Sequence, residues 1–384
     1  MQPVIWIYAA AGRRARAGEL AAALAPAARP LVLGPAGRPA PELDLGPEPD
    51  LAGALAACPA ELRPAAAACL EAEAPAGLDC LPCPVLGWAG GAGLEGGLPA
   101  APAEAARGLL AAAGREFRPA WLEEVQVNLP LRELAGDHRP LAARLRLRLE
   151  LGLDAQALDS AGPAELAAAR ALAGRRLTCH LPFMDLSPGS SDPLVARISR
   201  QRLEHAGRLA LELGAVQVVA HLGYDQRVQP DAAAFARRWA EALAPLARKL
   251  AAAGCGLALE NVFEPGPEVH GLVLAELDRR EAPAGLCLDV GHCYGFSATP
   301  LADWWEAFAP RLTQLHLHDN QGAWDQHLPV GWGRVDWELL RRGLAGLGRR
   351  PIITLEPHAE PHLWGSLRGL ERLWGPPRSA LPPA

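Results

Sequence analysis

Residues 177–221 read LTCHLPFMDLSPGSSDPLVARISRQRLEHAGRLALELGAVQVVAH, one complete strand–helix–strand unit. A short apolar run closes on His180, and a second, 216–221, closes on His221. Between them, residues 195–213 carry apolar side chains at helical spacing. A strand, a helix and a second strand in that order are joined by a right-handed crossover and lie parallel. The unit recurs in both directions along the chain. Strand-like runs fall at 124–131, 148–153, 177–180, 216–221, 256–260, 285–289, 314–319 and 352–356, with helical stretches between them. Eight such units in about 250 residues are the size of a closed (β/α)8 TIM barrel. An open doubly wound sheet is the alternative, but no G-x-G-x-x-G follows a first strand, so a dinucleotide fold has no support.

The N-terminal third has a different texture. Residues 4–8 and 30–34 read as short buried strands, 19–24 and 51–57 as helical pieces, and the rest is rich in Ala and Pro. Residues 89–102, AGGAGLEGGLPAAP, read as a linker or long loop. The expected organisation is a small Ala/Pro-rich α/β domain over 1–102, a barrel over 119–375 and a tail over 376–384. Cys80 and Cys83 form a C-x-x-C that could join Cys58 and Cys69 around zinc, but the spacing of the second pair does not match a zinc knuckle. Cys179, Cys255, Cys287 and Cys293 lie in or beside strand runs and read as small reduced core residues.

Function is read from where the polar residues fall. A barrel carries its active site at the C-terminal ends of its strands. From the third strand onward those ends carry His180, His221, Glu260 followed by Asn261, Asp289 followed by His292, His316, and Glu356. Asp325 and His327 come just after the seventh strand. One histidine at a strand end is most often a hydrogen-bonded structural residue, and one glutamate is often a helix cap. Six consecutive strand ends in register are not explained that way. Converging carboxylates repel unless a cation or protons compensate them. Imidazole mixed with carboxylate, without thiolate, suits Zn, Mn or Fe(II). His180, His221, Glu260, Asp289, His292, His316, Asp325, His327 and Glu356 are more ligands than one ion takes, and two or three divalent ions bridged by Glu260 or Glu356 would use them.

Composition excludes other classes. The net charge of -6 argues against a protein that tracks long duplex nucleic acid, which needs clustered cations. Lys249, the single lysine, lies in a helical stretch, so a Schiff-base mechanism has no nucleophile. There is no run of membrane-spanning length, and the apolar start lacks a basic n-region, so a cytoplasmic location is expected.

The motifs His180-Leu-Pro-Phe-Met-Asp, Leu-Glu260-Asn-Val, Leu-Asp289-Val-Gly-His292, Leu-His316-Leu-His-Asp319-Asn, Asp325-Gln-His327-Leu-Pro-Val-Gly and Leu-Glu356-Pro-His resemble those of the xylose isomerase-like barrel superfamily, over roughly residues 124–373. The resemblance implies two kinds of chemistry. Sugar isomerases and epimerases hold one ion on a set matched by Glu260, Asp289, His316 and Glu356, with the two glutamates as catalytic acid and base. The endonuclease IV group adds the earlier histidines and the Asp-x-His. By that likeness His180 and His221 would hold one ion, with Glu260 bridging to a second. Asp289, His316 and Glu356 would complete the second, and His292, Asp325 and His327 would hold a third. The implied reaction is then phosphodiester hydrolysis without a covalent enzyme intermediate. Residues 180–193 also resemble barrel proteins proposed to remodel cobamides by cleaving the nucleotide-loop phosphodiester. The Gln321 to Trp332 segment has no Lys or Arg, and its Trp324 and Trp332 suit stacking on a flat or apolar ligand, so a small-molecule substrate is expected over DNA. Phe183 and Asn261 are the other expected substrate contacts, and Asp185, His318 and Asp319 are expected to orient ligands.

Overall fold

The computed structural model describes residues 4–9, 14–25, 28–33, 64, 66–69, 81, 83, 85–87, 102–113, 119–134, 138–172, 177–377 and 381. They form two compact units, Met1–Pro119 with His358–Leu373, and Ala120–Pro357 with Trp374–Ala384.

The first unit holds four parallel strands, β1 (Val4–Tyr8), β2 (Arg29–Leu33), β3 (Ala66–Cys69) and β4 (Val85–Gly87), in the order β2-β1-β3-β4. Ile5 and Ile7 of β1 are buried with Ala17, Leu20 and Leu24 of the helix Arg14–Leu24 and with Ala105, Ala106 and Leu109 of the helix Pro102–Ala113. The expected strands at 4–8 and 30–34 and the helix at 19–24 are present, shifted by a residue or lengthened. The expected helical piece 51–57, most of the linker at 89–102, and Cys58 and Cys80 lie outside the described residues; Cys69 lies in β3, and Cys83 is buried. Most of the last helix, Glu360–Trp374, belongs to this unit. Its buried Arg368 donates to the carbonyls of Leu81 (2.6 Å) and Cys83 (2.5 Å).

The second unit is a closed barrel of eight parallel strands in sequential order. These are β5 (Gln126–Pro130), β6 (Arg148–Gly152), β7 (Thr178–His180), β8 (Gln217–His221), β9 (Gly256–Glu260), β10 (Gly285–Asp289), β11 (Leu312–Leu317) and β12 (Ile352–Leu355), the eight runs read from the sequence with ends moved by one or two residues, so that His318, Asp319 and Glu356 follow their strands. β12 pairs with β5 and closes the ring. Crossover helices begin where the sequence supplies a cap. Asp192 accepts from the amide of Leu194 at 2.7 Å ahead of Pro193–Leu213, and Asp231 from Ala234 at 2.8 Å ahead of Ala232–Ala252. Among the described residues no helix is long and apolar enough to cross a membrane.

Alternate residues of each strand enter the barrel, where the lower interior is polar. Gln217 donates to Gln314 (2.6 Å), Gln314 to Thr354 (2.9 Å), and Thr178 lies 2.9 Å from both Gln126 and Glu150. Beside this floor, Val219, Ala258 and Cys287 form a small apolar patch. The strand ends with the candidate ligands stand above it.

Candidate metal centre

Strand register brings the predicted ligands together. His221 pairs with Glu260 across β8 and β9, and Asp289 with His316 across β10 and β11. Glu260, 1 % exposed, is the hub: Oε2 lies 2.9 Å from His180 Nε2 and 3.2 Å from His221 Nε2, and Oε1 lies 3.2 Å from His316 Nδ1. His316 Nδ1 is also 3.1 Å from Glu356 Oε1. The Asp289 carboxylate caps the helix Val290–Gly295 by accepting from the His292 amide (2.7 Å), which places His292 Nδ1 3.5 Å from Glu260 Oε1 and Nε2 3.5 Å from Asp325 Oδ2.

Asp325 and His327 arrive by a loop that folds back over β11. Asp319 and Leu328 exchange backbone hydrogen bonds of 2.7 and 3.0 Å, closing it. The Asp319 carboxylate accepts from the amides of Gly331 (2.8 Å) and Val335 (3.1 Å) and from the Trp337 indole (2.8 Å). Asp319 therefore organises the loop that carries Asp325 and His327. A Cβ at Gly333 would stand 2.2 Å from that carboxylate, so the close approach requires glycine. His327 takes the left-handed conformation, φ 46°, and its Nε2 lies 3.0 Å from Asp325 Oδ2.

Among the described residues, ligand atoms gather in overlapping groups, each within 4.8 Å: His180, His221 and Glu260; Glu260, Asp289 and His292; Glu260, Cys287 and His316; Glu150, His316 and Glu356; and, on the outer side, His292, His318, Asp325 and His327. Of these, Glu150, Cys287 and His318 were not among the predicted ligands. His318 Nε2 lies 3.0 Å from Asp289 Oδ1, and its ring stacks on His327 at 3.9 Å between centroids. A Cβ at Gly291 would sit 2.1 Å from that ring, which is why the turn between Asp289 and His292 holds glycine.

The donor set fits divalent ions. His316 Nδ1, His221 Nε2, His318 Nδ1 and Asp325 Oδ1 are buried without a hydrogen-bond partner, although carboxylate oxygens stand 3.1 to 3.2 Å from the first two. Polar atoms converging this closely without hydrogen-bond geometry is what an ion-shaped gap requires. One nitrogen of each of three rings is held by the main chain: Nδ1 of His180, His292 and His327 lie 2.9 Å from the carbonyls of Leu181, Asn261 and Glu356. Such partners fix the ring orientation of a ligating histidine.

Without ions, protons take their place. Burial alone would lower the imidazoles, but Asp289 and Asp325 carry His292 up to about 10, and Asp325 and Glu356 carry His327 up to about 9. Burial would raise Glu260, and His316, His221 and His180 reverse this and hold it well below the carboxylate range. A raised histidine pKa contributes stability that is complete below the unfolded value of about 6.5 and is lost as pH rises through the folded value. Chelator-treated protein is therefore expected to lose melting temperature between pH 7 and 10, by on the order of 5 °C. Ion-loaded protein should not. A flat melting temperature for the chelated form over that range would contradict this pairing.

Of the expected substrate contacts, Phe183 is 38 % exposed with its ring 4.3 Å from that of His221, and Trp324 is 62 % exposed. Trp332 is half-buried, and its carbonyl accepts from Gln321. Asn261 is 1 % exposed; its amide donates to the Asp289 carbonyl (2.9 Å) and accepts from the Asp289 amide (2.8 Å). It thus clamps the ends of β9 and β10 beneath the ligands. Asp185 is exposed, with φ 60°.

A family model described as a xylose isomerase-like TIM barrel matches residues 145–374, more than half of the chain. A structure of the TTHB071 protein from Thermus thermophilus, soaked with ZnCl2, is 32 % identical, with 66 % of this chain and 98 % of that one covered and a TM-score of 0.56. A D-tagatose 3-epimerase-like protein, 20 % identical, shares the fold over 65 % of this chain and 97 % of its own, with a TM-score of 0.55. Protein MJ1311 of Methanocaldococcus jannaschii, itself uncharacterized, is 23 % identical over 188 residues, 47 % of this chain and 64 % of that protein's length.

Proposed function

The chain belongs to the xylose isomerase-like TIM barrel family, and on that premise we propose that it is a metal-dependent hydrolase of small-molecule phosphodiesters. The observation that carries the reading is the outer group, His292, His318, Asp325 and His327, beyond the inner group around Glu260. One ion would leave it unused. Two or three divalent ions, with zinc first because of the imidazole content and the ZnCl2-soaked relative, use both groups. Bound there, such ions would neutralise charge developing at phosphorus and make water more acidic.

The chain's own residues do the rest. Glu260 and Glu356 both reach His316 Nδ1 and hold the inner ligands in one charge-balanced array. Phe183 and Trp324 offer exposed aromatic faces at the mouth for a planar or apolar part of the substrate. Arg132, in the short helix after β5, and Arg227, after β8, each stand beside an acidic partner, Asp154 (3.2 Å) and Asp225 (2.7 Å), so neither adds an unbalanced positive charge of the kind duplex DNA needs. A cobamide-type nucleotide loop is one substrate of the fitting class.

The second reading is a sugar or sugar-phosphate isomerase or epimerase. It is favoured by two glutamates, Glu260 and Glu356, standing side by side at the inner group, where each could exchange a proton with a bound substrate.

Elemental analysis with turnover on bis(p-nitrophenyl) phosphate tests the choice. About two to three ions per chain, and hydrolysis that is lost to a chelator and restored by zinc or manganese, are expected. About one ion with ketose epimerisation and no hydrolysis would transfer the assignment to the second reading. Nicking of abasic-site duplex is not expected.

A further inference from the structure

Glu150 lies in the middle of β6, below the strand ends, and is fully buried. Its carboxylate crosses the barrel interior. Asn128 on β5 donates to Oε1 (3.0 Å), Thr178 on β7 donates to Oε2 (2.9 Å), and Gln314 on β11 donates to Oε2. The remaining approach to Oε1 is taken by His316 Nε2 at 3.0 Å.

We infer that Glu150 is a positioning residue for the metal centre, fixing the hydrogen of His316 on Nε2 so that Nδ1 faces the ion. The inference rests on the metal reading above. Two atoms compete for His316 Nε2: Glu150 Oε1 at 3.0 Å, which can only accept, and Gln314 Nε2 at 3.1 Å, which can only donate. Gln314 Nε2 has two hydrogens, and they go to Glu150 and to Thr354 (2.9 Å). None is left for His316, so Glu150 Oε1, at 3.0 Å, is the acceptor within reach of a hydrogen on His316 Nε2. On the other edge of the ring Nδ1 has carboxylate oxygens at 3.1 and 3.2 Å and no hydrogen bond.

This ring differs from its neighbours. His180, His292 and His327 are backed through Nδ1 by neutral main-chain carbonyls and present Nε2 to the site. His316 is reversed, presents Nδ1, and is backed by a buried carboxylate. A charged acceptor orients a ligating imidazole and raises its basicity more than a carbonyl does, and loss of such a partner typically weakens a metal site by about 10- to 100-fold. Glu150 therefore strengthens one ion position selectively, the one that His316 shares with Glu260 and Glu356.

The test compares the full-length protein with Glu150→Gln, using zinc alone as the probe. Chelator competition should show one zinc weakened by about 10- to 100-fold, with the remaining sites unchanged. Nitrogen-15 NMR of histidine-labelled, zinc-loaded protein should show one imidazole protonated at Nε2 and metal-facing at Nδ1, absent from His316→Ala and altered in Glu150→Gln. If Glu150→Gln does not fold, Thr178→Val, which removes one of the donors anchoring the carboxylate, should loosen the same zinc by a smaller factor. Wild-type zinc affinity at every site together with an unchanged His316 signal would overturn the inference and leave the functional reading standing. A wild-type chain that holds no zinc would overturn both.

Discussion

Glu260→Gln is expected to lose the inner ion and at least about a thousand-fold in kcat/KM. The substitution keeps size and removes charge. Its reach over His180, His221, His316 and His292, at 2.9 to 3.5 Å, makes Glu260 the residue on which the inner groups converge. An amide at this position offers one acceptor where the carboxylate offers two, and turns N–H groups toward nitrogens that need a negative partner. Ion content and turnover should fall together. Thermal unfolding in chelator should show the barrel still folded, because β9 keeps its backbone pairing and Asn261 keeps its clamp on Asp289. Full ion content with full turnover in this variant would sink the ligand assignment.

The second large effect separates the two functional readings. Asp325→Ala and His327→Ala are each expected to remove one ion per chain and to lower phosphodiester hydrolysis by about a thousand-fold. Asp325 Oδ2 stands 3.5 Å from His292 Nε2 and 3.0 Å from His327 Nε2, so either truncation dismantles the outer group. Asp325 pairs with the outer histidines and not with His316, Glu260 or Glu356, whereas His327 Nδ1 lies 2.9 Å from the Glu356 carbonyl. An isomerase or epimerase working at the inner ion would therefore keep most of its rate in Asp325→Ala, the cleaner of the two variants. Undiminished phosphodiester turnover in both would remove the outer ion from the mechanism.

The barrel was legible because its signal is local. Each strand is a short apolar run, crossover helices announce their start with an aspartate such as Asp192 or Asp231, and a polar residue at each strand end stands out against the run before it. Parallel strands of a closed barrel end on one rim, so strand-end residues could be placed together without knowing any distance.

Glu150 was not legible, for a specific reason. In Arg148-Leu-Glu150-Leu-Gly152 the alternation reads as leucines inward and charges toward solvent, as on a sheet with one wet face. Here both faces are buried. Leu149 and Leu151 are fully buried, and the polar alternate residue is the one that contacts β11 across the barrel. His318 was underrated because its neighbour His316 occupies the strand position that the pattern favours. How Asp319 acts was not legible because its partners, Gly331, Val335 and Trp337, lie more than ten residues downstream.

By itself the sequence determined the order of strands and helices, the rim on which the ligands stand, and the mixed imidazole–carboxylate character that calls for a divalent ion. These depend on periodicity and residue chemistry, which are written locally. Only the tertiary structure decided which ligands share a group, how the Asp325 loop returns through the Asp319–Leu328 bridge, that Asn261 lies under the ligands, and that a mid-strand glutamate backs His316. Those depend on contacts between strands far apart in the chain, where closure of the barrel turns an apparently exposed face into its interior.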